Sequence, residues 1–336
     1  MAVNIYDVAK LSGVSIATVS RVVNGSTKVS EKTRRKVLDV MEQCGYTPNV
    51  FARGLGLDSM KTIGILCPDI SDAFIAQAVA FLEERLHQYE YDCILGCSGY
   101  NLEAKEAHMK MLLSKRIDAL ILVSSTYAGR EGHPEDVEYI IEAAKQTPVF
   151  LVNGFVEGDN IYCSFGDDFK ATYDVTNGFI RRGKKKILFL CDSYSYSASK
   201  KLAGYEAALQ DAGYPIRGEL KFYTKNRIHH VRDILLSHKN LEFDSVVATD
   251  DGLAIGALKY AKAKGMKVPE DIEIAGYNNS QLSVGCEPEL TSVDNHLEKL
   301  CNDTVDHMLR VLQGDKDVPA QNEVMCEIKK RCTTYF

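Results

Sequence analysis

Residues 7–25 read DVAKLSGVSIATVSRVVNG, two short apolar-periodic stretches on either side of a glycine. Just upstream, Asn4 followed three residues later by Asp7 has the form of a helix start, and Ile5, Val8 and Ala9 make one apolar stripe. Gly13 should end that helix. Val14 leads to Ser15, a good N-cap, and the next helix sets Val19, Val22 and Val23 on one side with Ala17, Ser20, Arg21 and Asn24 on the other. Downstream, Ser30 can cap EKTRRKVLDVMEQCG, in which Val37, Val40, Met41 and Cys44 recur at i, i+3, i+4 and i+7 before Gly45. Two short helices joined by a Gly-containing turn and braced by a third form a helix-turn-helix, expected over residues 1–47.

In that geometry the start of the second helix enters the DNA major groove, so Ser15, Ile16, Ala17, Ser20 and Arg21 face base edges or the groove wall. The Arg21 guanidinium can bond two acceptors on guanine, whereas Ile16 and Ala17 offer apolar contact suited to a thymine methyl. Ile16 also stands three residues before Val19, so the headpiece core is its alternative place. Asn24, Ser30, Thr33 and Asn49 suit phosphates, which set position and not sequence.

Charge supports this polarity. Residues 1–61 carry nine Lys or Arg against five acids, net +4, while the other 275 carry 31 against 41, net −10. A basic module on an acidic body points to nucleic acid at one end and a different partner at the other. At 336 residues and 45% apolar, the chain suits two or three globular domains. No apolar window approaches membrane-spanning length and MAVNIYDVAK lacks the pattern of a secretory signal, so the expectation is a cytoplasmic protein without a membrane partner. The ten cysteines fall mostly within apolar segments, without C-x-x-C spacing, and read as reduced thiols and not as metal ligands. No P-loop, G-x-S-x-G or metal signature is present, and no cofactor or catalytic residue is assigned.

DVAKLSGVSIATVSRVVNG together with VSEKTRRKVLDVMEQCGYTPNVFARGL resembles the DNA-binding headpiece of the LacI/GalR family of bacterial transcription regulators. The likeness extends along the chain through PDISDAF, KKLAGY, TDDGLAIGA, IAGYNN and PELTSV, and is greatest to the Gram-positive branch that holds catabolite control protein A.

From Thr62 the chain alternates apolar runs (TIGILCP, YDCILGC, DALILV, PVFLVN, KKILFLC, DSVVAT, DIEIAG) with helical stretches at 74–89, 103–115, 168–182, 201–212 and 252–264. This is the pattern of parallel sheets covered on both faces, and two such series give an α/β protein with two doubly wound lobes. The resemblance implies a periplasmic-binding-protein fold in which the chain crosses between lobes three times: 62–156 with 290–316 in one lobe, 157–289 with 317–336 in the other. Ligands in open α/β sheets lie beyond strand carboxyl ends, here at DISDAF, DSYSYSASKK and Asp250-Asp251. Either aspartate could also cap the helix that follows. The family pattern implies effector contact by Phe74 and Asp251, with Ser195, Ser197, Lys201 and Tyr223 as further candidates. Lys201 stands where many members carry arginine, and it lacks the fork that grips a diol or carboxylate in bidentate fashion.

The expected function is that of a homodimeric regulator, a repressor, on a near-palindromic double-stranded operator, controlled by a small carbohydrate or related metabolite in the inter-lobe cleft. One alternative is a regulator answering phosphorylated HPr. Another is a soluble sugar-binding protein with an incidental basic N-terminus. FARGLGLDSMK, residues 51–61, places leucines among glycines and charges just before the body. The reading is a linker over 48–61 that folds as a short hinge helix on DNA, with Arg53 on phosphate or in the groove and Leu55 wedged between base pairs of the minor groove.

Overall fold

The computed structural model describes residues 3–23, 26–46, 59–130 and 133–336, and divides into two compact units: Met1–Thr62 with Arg116–Asp118, and the rest of the chain. Asn24, Asn49, Arg53 and Leu55 lie outside the described residues.

The first unit holds α1 (Ile5–Ser12), α2 (Ile16–Val23) and α3 (Glu31–Gln43). Each start is fixed by the side chain the sequence offers. Asn4 and Asp7 form a reciprocal capping box, Ser15 Oγ accepts from the Thr18 amide at 3.2 Å, and Ser30 Oγ accepts from the Thr33 amide at 3.3 Å. Gly13 ends α1 in the left-handed region (φ 65°), where a Cβ is costly. Val8, Val19 and Val37, one from each helix, are fully buried in a small core completed by Ala9, Val22 and Met41.

The body contains two six-stranded sheets. The first comprises β1 (Thr62–Cys67), β2 (Asp92–Cys97), β3 (Ala119–Val123), β4 (Val149–Val152), β5 (Ile161–Gly166) and β11 (Gln321–Val324), in the order β11-β5-β4-β3-β1-β2. The second comprises β6 (Ile187–Cys191), β7 (Lys221–Tyr223), β8 (Ser245–Ala248), β9 (Glu273–Tyr277), β10 (Thr291–Asp294) and β12 (Glu327–Lys329), in the order β12-β10-β9-β8-β6-β7. β3, β4, β6, β8 and β9 are buried along their whole length, as strands covered on both faces must be. The covering helices are α4 (Ala73–Gln88), α5 (Leu102–Leu113), α6 (Glu138–Ala144), α7 (Asp168–Arg181), α8 (Tyr196–Asp211), α9 (Ile228–Ser237), α10 (Asp251–Ala263), the short α11 (Gln281–Val284) and α12 (Leu297–Leu312).

The crossings between lobes differ from the expected boundaries. β5 pairs with β4, so the first crossing follows Gly166 and not residue 156. β10 pairs with β9 in the second sheet, so residues 291–294 do not belong with the first lobe. β11 pairs with β5, which places 321–324 in the first sheet and not the second. α12 buries Leu297, Leu300, Cys301, Val305 and Met308 in the core of the first lobe. In the second sheet β12 runs antiparallel to β10 at an edge of an otherwise parallel array.

α7 and α8 approach closely at Gly204, where an added Cβ would lie 2.2 Å from the Phe169 carbonyl oxygen and 3.0 Å from the Tyr173 amide. Both obstacles are backbone and cannot rotate away. Gly204→Ala should therefore destabilise the second lobe by about 2 kcal/mol despite alanine's better helix propensity. Urea unfolding of the full chain checks this, and an unchanged midpoint would mean that the helices can separate freely.

Candidate DNA-binding face and inter-lobe cleft

On α2, residues 16, 17, 20 and 21 share the face opposite Val19 and Val22. Ile16 is 40% exposed and stands outside the headpiece core, Ala17 and Arg21 are exposed, and Ser20 is half-buried. Arg21 is held by no ion pair among the described residues. Ser15 and Ser30 spend their hydroxyls locally, on Thr18 Oγ1 at 2.9 Å and Thr33 Oγ1 at 2.8 Å, yet both stay at the surface where they can be shared. The outcome is a short helix whose exposed face offers one guanidinium, one hydroxyl and two apolar side chains, groups of the kinds that can pair with base edges and thymine methyls.

A cavity of about 750 Å³ lies between the lobes of the body. Its walls come from the carboxyl ends of β1, β3 and β4 in one sheet and of β6, β7, β8 and β9 in the other. Each sheet reverses its strand order there, between β1 and β3 and between β6 and β8, and a crevice opens at such a switch point. Ser125 Oγ, after β3, donates to Ser195 Oγ, after β6, at 2.8 Å and bridges the lobes. Three of the nine described non-glycine residues with positive φ, Ser124 (φ 137°), Asn153 (φ 65°) and Asn278 (φ 88°), line the cavity.

Of the six cleft residues expected from sequence, Phe74, Ser195, Ser197 and Lys201 line this cavity. Ser195 also caps α8, which begins at Tyr196, a turn earlier than the hydroxyl-rich stretch suggested. Lys201 is only 4% exposed. Its Nζ donates to the Thr249 carbonyl at 3.2 Å, sits 3.6 Å from the centre of the Tyr277 ring and lies 4.0 Å from Asp168 Oδ1.

Tyr223 and Asp251 are corrections. Tyr223 ends β7 and stacks on Tyr194, with ring centroids 4.5 Å apart, outside the cavity lining. Asp251 is 1% exposed and points into the second lobe, where it accepts from the Ser280 amide (2.7 Å), the Ser280 hydroxyl (2.8 Å) and the Ser292 hydroxyl (2.6 Å). Gly276 on β9 leaves room for it, since a Cβ there would lie 2.4 Å from Asp251 Oδ1. Its neighbour Asp250 faces the cleft, accepting from the Gly252 amide at 2.7 Å and from Asn278 Nδ2 at 2.9 Å. The residues missed from sequence, Asp72, Tyr100, Asn153, Asp192 and Thr249, sit within a few positions of a strand's end, the one signal that could have found them.

The cleft is acidic. Burial and then the charge of Asp250 push Asp72 up to about 6. The same two causes, opposed by Lys201, push Asp192 up to about 6; Asp192 keeps contact with water but is enclosed on most sides by protein. Burial, followed by Asp72, raises Tyr100 to about 12. A carboxyl whose folded pKa lies above its unfolded value stabilises the fold below the unfolded pKa, and that contribution is lost as pH rises through the folded one. Asp72→Asn should therefore flatten the dependence of stability on pH between about 4 and 6, seen by thermal unfolding of the full chain; an unaltered slope would show that Asp72 titrates normally.

A helix-turn-helix headpiece together with a two-lobed body that holds a ligand-sized cleft defines a DNA-binding transcriptional regulator with a sensor domain. The chain belongs to the LacI family: residues 4–49 match the model described as bacterial regulatory proteins, lacI family, and residues 60–332 that of periplasmic binding proteins and sugar binding domain of LacI family. It is 48% identical to an HTH-type transcriptional regulator of Lachnoclostridium phytofermentans over 99% of this chain and 100% of that one. It is 35% identical to catabolite control protein A of Priestia megaterium over 87% of each chain. Its fold is similar to that of the lac repressor dimer bound to operator and the anti-inducer ONPF, with a TM-score of 0.87, 25% identity and 99% of both chains covered. No described helix is long and apolar enough to cross a membrane.

Proposed function

We propose that the protein binds a near-palindromic operator as a homodimer, one half-site per headpiece, and that a small polyhydroxylated ligand in the inter-lobe cleft sets its affinity for DNA. The observation that carries this reading is the cleft, whose walls come from both sheets and are bridged only lightly, as by Ser125 and Ser195. A ligand that touches both lobes can favour one closure state, and only such differential binding can alter affinity elsewhere. Arg21 reads bases, with Ser15, Ile16, Ala17 and Ser20 beside it. Asn24, Ser30, Thr33, Asn49 and Arg53 hold the backbone, and Leu55 serves as the minor-groove wedge. In the cleft, Phe74 supplies an apolar wall, while Ser195, Ser197, Lys201 and Asp250 supply polar contacts.

Selection of DNA sites from a random pool by the full chain, followed by a salt-dependent shift assay on the winners, tests this. A two-fold symmetric consensus is expected, and recovery of an unsymmetric site or a monomeric complex would refute it. Similarity to catabolite control protein A supports a second reading, in which serine-phosphorylated HPr docks on the body. By the family resemblance the docking helix would be α12, which carries a single arginine, Arg310, engaged with Asp315 at 2.8 Å. Co-purification with serine-phosphorylated but not unmodified HPr would favour that reading over ligand control.

A further inference from the structure

Four carboxylates and three cations line the cleft. Asp72 faces it from the first lobe, Asp192 and Asp250 face it from the second, and Asp69 stands at its rim. Three cations share the lining: Lys201, whose Nζ also contacts Thr249, Tyr277 and Asp168, and Lys225 and Arg227, which are exposed as Asp69 and Asp192 are. Asp72 uses one oxygen to cap α4, accepting from the Phe74 amide at 3.0 Å and the Ile75 amide at 3.2 Å, and its second oxygen accepts no hydrogen bond among the described residues.

Independently, three buried polar atoms of cleft-lining residues have no hydrogen-bond partner among the described residues: Ser197 Oγ, Asn153 Oδ1 and Thr249 Oγ1, in residues 3%, 8% and 7% exposed. Asn153 comes from the first lobe and the other two from the second, and a buried polar group left unpaired costs free energy until something bonds it. Asn153 Oδ1 can only accept, so it calls for a donor on the ligand. Carboxylates on both walls make the same demand, since an anionic ligand would add to the charge already crowded there.

Resting on the reading of the cleft as the effector site, we propose that the effector is a polyhydroxylated molecule bearing a primary amine, an amino sugar, whose ammonium sits between Asp72 of the first lobe and the Asp192–Asp250 pair of the second. Three N–H donors on one cationic centre match carboxylates arriving from two sides. The arrangement also supplies a switch. Without the ammonium, like charges on facing walls oppose closure; with it, both walls are drawn to one centre.

The test is calorimetric titration of the full chain with glucosamine, galactosamine and mannosamine, with their neutral parents glucose, galactose and mannose, and with the three corresponding hexose 6-phosphates. At least one amine should bind tenfold or more tightly than its neutral parent, and Asp72→Asn should erase that advantage. Asparagine still caps a helix, so the fold is retained; Asp192→Asn, which touches no cap, should act in the same direction. If neutral or phosphorylated sugars bind and the amines do not, the amine proposal is overturned while the effector reading stands. If none of the nine compounds binds, both are overturned for hexose ligands.

Discussion

Arg21→Ala should weaken operator binding by between about 30-fold and 10⁴-fold, the largest effect expected from any single substitution in the headpiece. A bidentate arginine–guanine contact contributes roughly 1–3 kcal/mol of discrimination, and in a homodimer each substitution is made twice at well-separated places, so the losses add. The pattern matters as much as the size. Arg21 stands on the exposed face of α2 beside Ala17 and Ser20, with no ion pair among the described residues to hold it elsewhere. If it reads a base, affinity should fall for the operator and specificity should relax at one symmetric pair of positions, while nonspecific binding changes little. Arg21→Lys should recover only part of the affinity, because the charge returns without the planar fork. Shift assays at one fixed salt concentration, on the operator and on each of its single-base variants, make the measurement. A uniform loss over all variants would instead make Arg21 a phosphate contact.

Asp251→Ala should destabilise the body by about 3 kcal/mol, because it strips the acceptor from three buried donors, the Ser280 amide and the hydroxyls of Ser280 and Ser292. The hydroxyls can turn toward other acceptors but the amide cannot, which keeps the expected cost well below three full penalties. Asp251→Asn should be far milder. Its carbonyl oxygen can take the Ser280 pair and its amide can donate to Ser292, and substitution removes a carboxyl that burial pushes up to about 6. Urea unfolding separates the two variants. A normal midpoint for Asp251→Ala together with lost ligand binding would return this residue to the cleft.

That reversal between neighbouring aspartates shows where reading the chain alone stops. The headpiece was legible because every signal in it is local: Asn4 with Asp7, Gly13, Ser15 and Ser30 each act within one turn of the helix they delimit, and Val8, Val19 and Val37 declare themselves by spacing. The long buried strands were legible for a similar reason, as unbroken apolar runs. Asp250 and Asp251 are indistinguishable by type and position, and what separates them is Ser280 and Ser292, 29 and 41 residues away. β5, IYCSFG, lacks the unbroken aliphatic run of its neighbours, and β11, QNEV, is an edge strand whose sequence is mostly polar. Both are strands because of what they pair with, so the expected crossings fell several residues away from the observed ones.

The interleaving of the two sheets carries a consequence for how the protein is made. The last strand of the first sheet, β11, lies 155 positions after β5, the strand it pairs with, and the second sheet waits for β12 just beyond. On the ribosome neither lobe can close its edge until nearly the whole polypeptide has emerged, although the headpiece has every residue of its core by Met41. During synthesis the DNA-reading module is therefore complete long before the module that governs it. A chain stopped before Gln321 would carry every residue of the headpiece core but two unfinished sheets.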